Sequence, residues 1–354
     1  QAQEITGGML TGGNPDFAAV SIDTRTLQAG ELFVALKGPN FNGNNFVESA
    51  ASRGATTALV SETVAVALPT LQVSDTRIAL GKLGSHNRKR AQVRVIALTG
   101  SQGKTTVKEL AAAILGCSAS TLSTQGNLNN DYGVPLTLLR IEAGHRFAVI
   151  EMGANAGGEI AYTTALTQPD IAHITNIAAT HLEGFGSLQG VALAKAEIWE
   201  GLGASGTAVL NLDDPNITAC YQSKPGVRTV TISAEGRLDA DYALEAFSSK
   251  GLAGSGFVIR TPRGSVTVVL ELPGHHNAAN ALAAAALALE AGASLGDVAT
   301  GLASARSVKG RMNIKRGRAG AVIIDDTYNA SPASFAAALE VLMQQPGMRM
   351  VVAG

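Results

Sequence analysis

Apolar positions along the chain fall into two kinds of run. Short stretches of Val, Ile and Leu bounded by turn residues predict strands at 31–36 (ELFVAL), 57–60, 93–98 (VRVIAL), 147–150, 171–175 and 207–211. Between them the spacing changes to the helical period. Val107, Leu110, Ala111 and Ile114 share one face of a helix over 106–115, and Ile78, Leu80 and Leu83 favour a helix over 77–90. The basic run His86-Asn87-Arg88-Lys89-Arg90 suits the C-terminal end of that helix. Further helices are expected at 46–53, 188–201 and 273–291, the last alanine-rich. Strands alternating with helices predict an α/β fold with a mostly parallel, doubly wound sheet. Residues 240–272 pattern instead as antiparallel strands, and a further unit begins near Gly310 with a strand at 321–324.

Composition adds limits. The 354 residues suit two or three domains, and 46% apolar with 16% charged residues carries no disorder signature. Forty glycines with 4% aromatics fit many tight strand-to-helix turns. A net charge of -1 supplies no basic field for nucleic acid. Cys117 and Cys220 make neither a disulfide framework nor a metal site and read as reduced thiols of a cytoplasmic protein. No run reaches the ~18 apolar residues of a membrane span, so no membrane insertion is expected. A chain that opens on Gln1 and stops at Gly354, directly after the strand-like MRMVVAG, is expected to be part of a longer protein.

The first chemistry-bearing segment is TGSQGKTT at 99–106, set between a strand and an amphipathic helix. Gly100 and Gly103 let consecutive N–H groups face an anion, and the helix N-terminus adds partial positive charge. Lys104 can reach the terminal phosphates of a nucleoside triphosphate, and the Thr105 hydroxyl can meet Mg²⁺. Gly100, Ser101, Gln102, Gly103, Lys104, Thr105 and Thr106 are therefore the nucleotide-binding candidates. The glycine spacing is shorter than in the eight-residue form of this loop, because position 98 is Leu. Several polar groups follow strands, where open parallel sheets bind ligands: Glu151, Asn176, His181, Asp213, Asp214, Asp325 and Asp326. Each alone reads as a helix cap or a solvated turn; beside a phosphate loop they read as a metal–nucleotide site. Lys195, within ALAKAEIWEGL, reads alone as a surface or paired lysine. Asn277 and Asn280, opening the alanine-rich helix, read alone as helix-start caps.

Nine segments in this order resemble the Mur ligase family, the ATP-dependent amide-bond-forming enzymes of peptidoglycan precursor synthesis. They are SIDTRTLQAGELFVALKG at 21–38, TGSQGKTT at 99–106, GNLNNDYGVPLTLLR at 126–140, EMGANAGGEI at 151–160 and NIAATHLEGFGS at 176–187. AKAEIWEGL at 194–202, PGHHNAANALAAAALA at 273–288, GRM at 310–312 and DDTYNASPAS at 325–334 complete the set. The resemblance implies three domains: a UDP-sugar domain at 1–91, a central ATP-binding domain at 92–309 with a P-loop-type sheet, and the start of a Rossmann-like amino-substrate domain at 310–354. Most of that last domain would lie beyond Gly354. The GNLNN and EMGAN segments resemble the branch that adds D-alanyl-D-alanine to a UDP-N-acetylmuramoyl-tripeptide.

By position, the resemblance implies that Ser21, Asp23 and Arg25 meet the UDP end of the substrate and that Asn127, Asn129 and Asn130 line the peptide path. Lys104, His181 and Lys195 would be catalytic. Thr105, Glu151, His181 and a carbamylated Lys195 would organise Mg²⁺. Asn277 and Asn280 would lie near the adenine, with Arg311, Asp326, Tyr328 and Asn329 closing on ATP. Lys309 departs from the proline that commonly precedes the Gly-Arg pair. The implied chemistry is an acyl phosphate made from the tripeptide carboxylate and attacked by the dipeptide amine, in a cytoplasmic monomer. Two rival enzymes are a neighbouring Mur ligase that adds one amino acid and folylpolyglutamate synthase, which lacks the UDP-sugar segment. A nucleotide-gated binding module is the third alternative; the lysines, Glu151 and His181 argue against it.

Overall fold

The structure is a computed structural model and describes residues 1–353. Its internal contacts divide the chain into two units, Gln1–Val93 with Thr124–Gly144, and Arg94–Ser123 with His145–Gly354.

In the first unit, five short strands form one sheet: β1 (Met9–Thr11), β2 (Val20–Ser21), β3 (Leu32–Val34), β4 (Thr57–Val60) and β5 (Thr70–Gln72), in the order β1-β5-β4-β3-β2. β2, β3, β4 and β5 run parallel, and β1 is antiparallel at the edge. Both faces of β3 and β4 are buried, which is why their sequences are continuously apolar rather than alternating. Helix α1 (Thr76–Arg90) begins at Asp75, whose carboxylate accepts from the N–H groups of Arg77 and Ile78. Residues 124–144 return to this unit and supply α2 (Gly133–Leu139). Gly84 makes that packing possible, because a Cβ there would come within 2.9 Å of the Pro135 backbone. The Asn87 side chain then donates to the carbonyls of Leu138 and Ile141 at 2.9 and 3.0 Å.

Nine strands form the sheet of the second unit: β6 (Arg94–Thr99), β7 (Thr121–Ser123), β8 (Phe147–Glu151), β9 (Ile171–Ile174), β10 (Thr207–Asn211), β11 (Arg228–Ser233), β12 (Tyr242–Ser249), β13 (Ser255–Thr261) and β14 (Gly264–Leu270). Their order is β14-β13-β12-β11-β10-β9-β6-β8-β7. Pairings from β7 to β12 are parallel, and β12-β13-β14 are antiparallel, as the sequence pattern predicts for 240–272. Helices α3 (Lys104–Gly116) and α6 (His275–Ala291) pack together on one face of the sheet. The alanines of α6 are nearly all buried; their small side chains let that helix lie among α3, α7 (Leu295–Ser304) and the sheet. Helices α4 (Glu159–Thr167) and α5 (Leu188–Ala196) pack against each other and the 3₁₀ turn Glu197–Gly201, which ends the helix expected over 188–201. A two-stranded ribbon, β15 (Asn313–Arg316) with β16 (Val322–Asp325), and helix α8 (Pro332–Met343) follow.

His173 lies in the middle of β9 with no exposed surface, its Nδ1 at 2.9 Å from the Val209 carbonyl oxygen. Burial lowers its pKa from 6.5 to about 4. The unfolded chain therefore binds an extra proton between those values, and stability falls as pH drops through that window. The loss approaches about 3 kcal/mol, since each pKa unit is worth about 1.4 kcal/mol. Urea unfolding at pH 7 and pH 4.5 should show this drop, and a His173→Leu variant should flatten it. An equal drop in both proteins would remove His173 as its source.

Candidate functional site

β6 is the strand at which the sheet changes direction of growth: β8 and β7 lie on one side of it and β9 on the other. A crevice opens beyond the carboxyl ends of strands at such a point. The segment 99–106 leaves β6 there and enters α3. Gly100 has φ 149° and Gly103 has φ 77°. A Cβ on Gly100 would collide with Thr175 Oγ1, and one on Gly103 would come within 2.5 Å of Asn280 Oδ1. These positions thus need glycine for space as well as for backbone conformation. Helix α3 begins at Lys104 with no side-chain cap. The N–H groups of its first turn have no acceptor within the helix, which leaves them for an anion.

The segment after β9 braces this loop. The Asn176 carbonyl accepts from Ser101 N–H and its Oδ1 accepts from Gln102 N–H, both at 2.9 Å. Thr175 Oγ1 donates to the Gln102 carbonyl at 2.5 Å. Ser101 Oγ donates to the Ala178 carbonyl at 3.1 Å and accepts from Ala178 N–H at 2.9 Å. Ser101 and Gln102 therefore spend their N–H groups on protein, and the anion-facing donors are those from Gly103 onward. The sequence reading placed Asn176 at a strand end without assigning it a partner. The signal available was its position after the strand neighbouring the phosphate loop.

Two further basic side chains and one carboxylate share the surroundings of Lys104. Its ammonium folds back to the Gly100 carbonyl at 2.8 Å and the Ser101 carbonyl at 3.5 Å. Burial pushes its pKa below the ordinary lysine value; the Glu151 carboxylate opposes that shift and Arg311 adds to it. Glu151 closes β8 and is 2% exposed. Lys195, on α5, is 3% exposed, and burial together with the Lys104 charge brings its pKa down to about 7. Its Nζ stands 6.0 Å from the centre of the Phe185 ring. The Arg311 guanidinium lies over the Tyr328 ring at 4.1 Å. Lys104 thus feels positive charge from Arg311 and negative charge from Glu151, and Lys195 feels the charge of Lys104, an arrangement suited to an anionic ligand.

The remaining candidates divide. Asn280 sits against Gly103, whereas Asn277 is buried and donates its amide to the Pro273 carbonyl at 2.8 Å. Asp326 accepts from Met312 N–H at 3.0 Å, and Met312 holds a left-handed φ of 48° just after Arg311. Asn329 is exposed and accepts from Ala330 N–H. His181 is exposed and also left-handed, with φ 52°. Thr105 is buried in the first turn of α3, and Thr106 is half-buried beside it.

Asp213, Asp214 and Asp325, grouped by the sequence reading with the metal–nucleotide site, have structural partners instead. Asp213 accepts from Ser233 Oγ and Ala234 N–H, both at 2.6 Å. Asp214 caps the helix Pro215–Cys220 and accepts from Ile177 N–H. Asp325 pairs with Lys315 at 2.5 Å, and that contact brings its pKa to about 2.

Ser21, Asp23, Arg25, Asn127, Asn129 and Asn130 all belong to the first unit. Asp23 and Arg25 form a two-pronged ion pair, with Nη2–Oδ2 at 2.7 Å, and Ser21 Oγ donates to the Asp23 carbonyl. Asn130 Oδ1 accepts from Gly133 N–H at the start of α2. Asn129 N–H donates to the Asn127 carbonyl at 2.7 Å.

A family model described as the Mur ligase middle domain matches residues 98–288, and one described as the Mur ligase family catalytic domain matches 16–113. The chain belongs to the Mur ligase family. This Mur ligase is 47% identical over 354 residues to UDP-N-acetylmuramoyl-tripeptide–D-alanyl-D-alanine ligase of Escherichia coli (strain K12), covering 100% of this chain and 78% of that protein. Its fold matches crystal structure I of MurF from Acinetobacter baumannii with TM-score 0.90 and 39% identity, over 98% of this chain and 76% of that one. It also matches the MurF ligase from Thermotoga maritima in complex with ADP, with TM-score 0.80 and 29% identity, over 93% and 75%.

Oxygen donors suit Mg²⁺, which binds through one or two protein groups plus substrate phosphates. Thr105 and Glu151 supply such donors: a buried hydroxyl at the anion-facing end of α3 and a buried carboxylate whose charge acts on Lys104. No group of three or more His, Cys, Asp or Glu side chains able to hold a metal ion occurs among the described residues. The oxygen donors of Thr105 and Glu151 fit a metal that also takes nucleotide phosphates.

Proposed function

We propose that this Mur ligase joins D-alanyl-D-alanine to a UDP-N-acetylmuramoyl-tripeptide at the expense of ATP, in peptidoglycan precursor synthesis. The observation that carries the reading is the 47% identity, over the whole chain, to a ligase whose name states those two substrates. The first unit, with Ser21, Asp23, Arg25 and the 127–130 asparagines, takes the UDP-tripeptide. The second takes ATP at 100–106, with Asn277, Asn280, Arg311, Asp326, Tyr328 and Asn329 around the nucleotide. The reaction runs in the cytoplasm, where ATP and UDP-sugars are made. In this reading the protein acts as a monomer. Among the described residues no helix is long and apolar enough to cross a membrane.

The tripeptide carboxylate is a poor electrophile. Its oxygen attacks the γ-phosphorus, the bond to the β-phosphate oxygen breaks, and an acyl phosphate forms. The dipeptide amine then attacks the acyl carbon, loses a proton and expels phosphate. Two anions must meet in the first step. Lys104 and the N–H groups from Gly103 onward offset that repulsion, and Arg311, whose charge reaches Lys104, adds positive charge. Thr105, Glu151, His181 and a carbamylated Lys195 would hold Mg²⁺, which when bound neutralises phosphate charge and orients the γ-phosphoryl group.

Phosphate release by the full-length protein should require UDP-N-acetylmuramoyl-tripeptide, ATP, Mg²⁺ and D-alanyl-D-alanine together. Release with a single amino acid in place of the dipeptide, on a dipeptide-bearing precursor, would overturn the substrate assignment. No turnover with any amine would overturn the ligase reading itself.

A further inference from the structure

The phosphate loop has a connection that its anion-binding role does not require. Gln102 makes three hydrogen bonds to two separate segments. Its N–H donates to Asn176 Oδ1 at 2.9 Å and its carbonyl accepts from Thr175 Oγ1 at 2.5 Å. Its side-chain Nε2 donates to Ser331 Oγ at 2.7 Å. The first two bonds fix the backbone, so the side chain leaves the loop from an anchored base. Ser331 is the N-cap of α8, in a capping box in which its Oγ accepts from Ser334 N–H and Ser334 Oγ accepts from Ser331 N–H. The Gln102 bond thus ends on the group that fixes the start of α8. Between Arg311 and Ser331 lie β15, β16 and the Asp326–Asn329 stretch.

That stretch is held at its other end by the Tyr328 N–H bond to the Gly310 carbonyl at 3.0 Å and by the stacking of Arg311 on Tyr328. One side-chain bond therefore joins the phosphate loop to the far end of the segment that presents Tyr328 and Asn329. A glutamine is long enough to span this gap and carries a donor for the hydroxyl; a shorter or apolar residue at 102 leaves the loop intact and the connection unmade.

We propose that Gln102 is a positioning residue: its side chain, through Ser331, holds the 326–331 segment in register with the phosphate loop for phosphoryl transfer. The inference rests on the ATP-dependent ligase reading above. The side chain acts on the segment and not on the phosphates, so its loss is felt when the segment must close on the reacting groups, in kcat, rather than in the capture of ATP by the loop.

The test is a double-mutant cycle in the full-length protein, with Gln102→Ala, Ser331→Ala and the pair, following phosphate release and thermal unfolding. Each single variant should lower kcat about five-fold, the worth of one hydrogen bond, with KM for ATP within two-fold of the parent; Gln102→Ala should leave the unfolding temperature unchanged, whereas Ser331→Ala, which also removes the N-cap of α8, should lower it. The pair should be no slower than the worse single variant, because both changes break the same bond. Gln102→Glu, which can accept from the Ser331 hydroxyl, should recover part of the lost kcat. Parental kcat in both single variants, or losses that multiply in the pair, would overturn the proposal. A rise confined to KM would also overturn it, by assigning Gln102 to nucleotide capture. An inactive parent would instead overturn the ligase reading, so the two failures are distinct.

Discussion

Replacing Lys104 by alanine in the full-length protein is expected to lower kcat for phosphate release about 10²–10³-fold, the usual loss when a preorganised charge is taken from a transition state. The ammonium rests 2.8 Å from the Gly100 carbonyl, folded onto its own loop. It is held there against two costs, burial and the nearby Arg311 charge. In the proposed reaction a triphosphate would offset both by giving the ammonium an anionic partner, drawing Lys104 from the carbonyl to the phosphates. The variant loses that partner at the step where two anions meet. Its fold should hold, because the bonds from Asn176 and Thr175 brace the loop without the lysine side chain, although the Gly100 carbonyl loses its donor. Lys104→Arg should not restore activity, since a planar guanidinium cannot replace a point charge in a turn this tight. Phosphate release within three-fold of the parent in Lys104→Ala would refute the role.

The parts of this molecule that could be read directly are those whose determinants are local. A strand, two glycines, a lysine and an amphipathic helix are contiguous, and they specify the phosphate loop wherever it falls in the sheet. Likewise Val93 to Leu98 can only be a buried strand, and it is one, as Arg94–Thr99. Acids at strand ends are different. Asp213 and Glu151 occupy the same kind of position in sequence. Their environments differ because the fold brings Ser233 and Ala234 to one and Lys104 to the other. Nothing within ten residues of either acid announces this. The return of 124–144 to the first unit is hidden for the same reason. It depends on Gly84 clearing space for Pro135 and on Asn87 meeting two carbonyls more than fifty positions away. The bracing by Asn176 needs the strand order: only when β9 is known to lie beside β6 does its following residue become a neighbour of the loop.

Lys195 should carry a carbamate, and losing it should cost about as much as losing a charged group from the transition state, on the order of 10²-fold in kcat. The geometry supplies the reason. An ordinary lysine with pKa near 10.4 is neutral in only about one molecule in a thousand at pH 7.5. Burial beside Lys104 brings Lys195 to about 7, so about three quarters of it is neutral at that pH. The neutral amine attacks carbon dioxide, the N–C bond forms and a proton leaves. The side chain then carries a negative charge in place of an amine, and Lys104 attracts it. Labelled bicarbonate should give a carbamate carbon signal that a Lys195→Arg variant lacks, and activity should fall in carbon dioxide-free buffer and as pH drops below 7. In buffer without carbon dioxide, stability carries a second signature of the same shift. The folded-state pKa is below the unfolded value, so the unfolded chain holds the extra proton between about 7 and 10.4. Parental stability should therefore rise with pH across that window, and Lys195→Met should reduce the slope, leaving the part that the likewise lowered Lys104 contributes. No carbamate signal in an active parent would sink the modification. A flat pH–stability curve would deny the buried, depressed amine on which the modification depends.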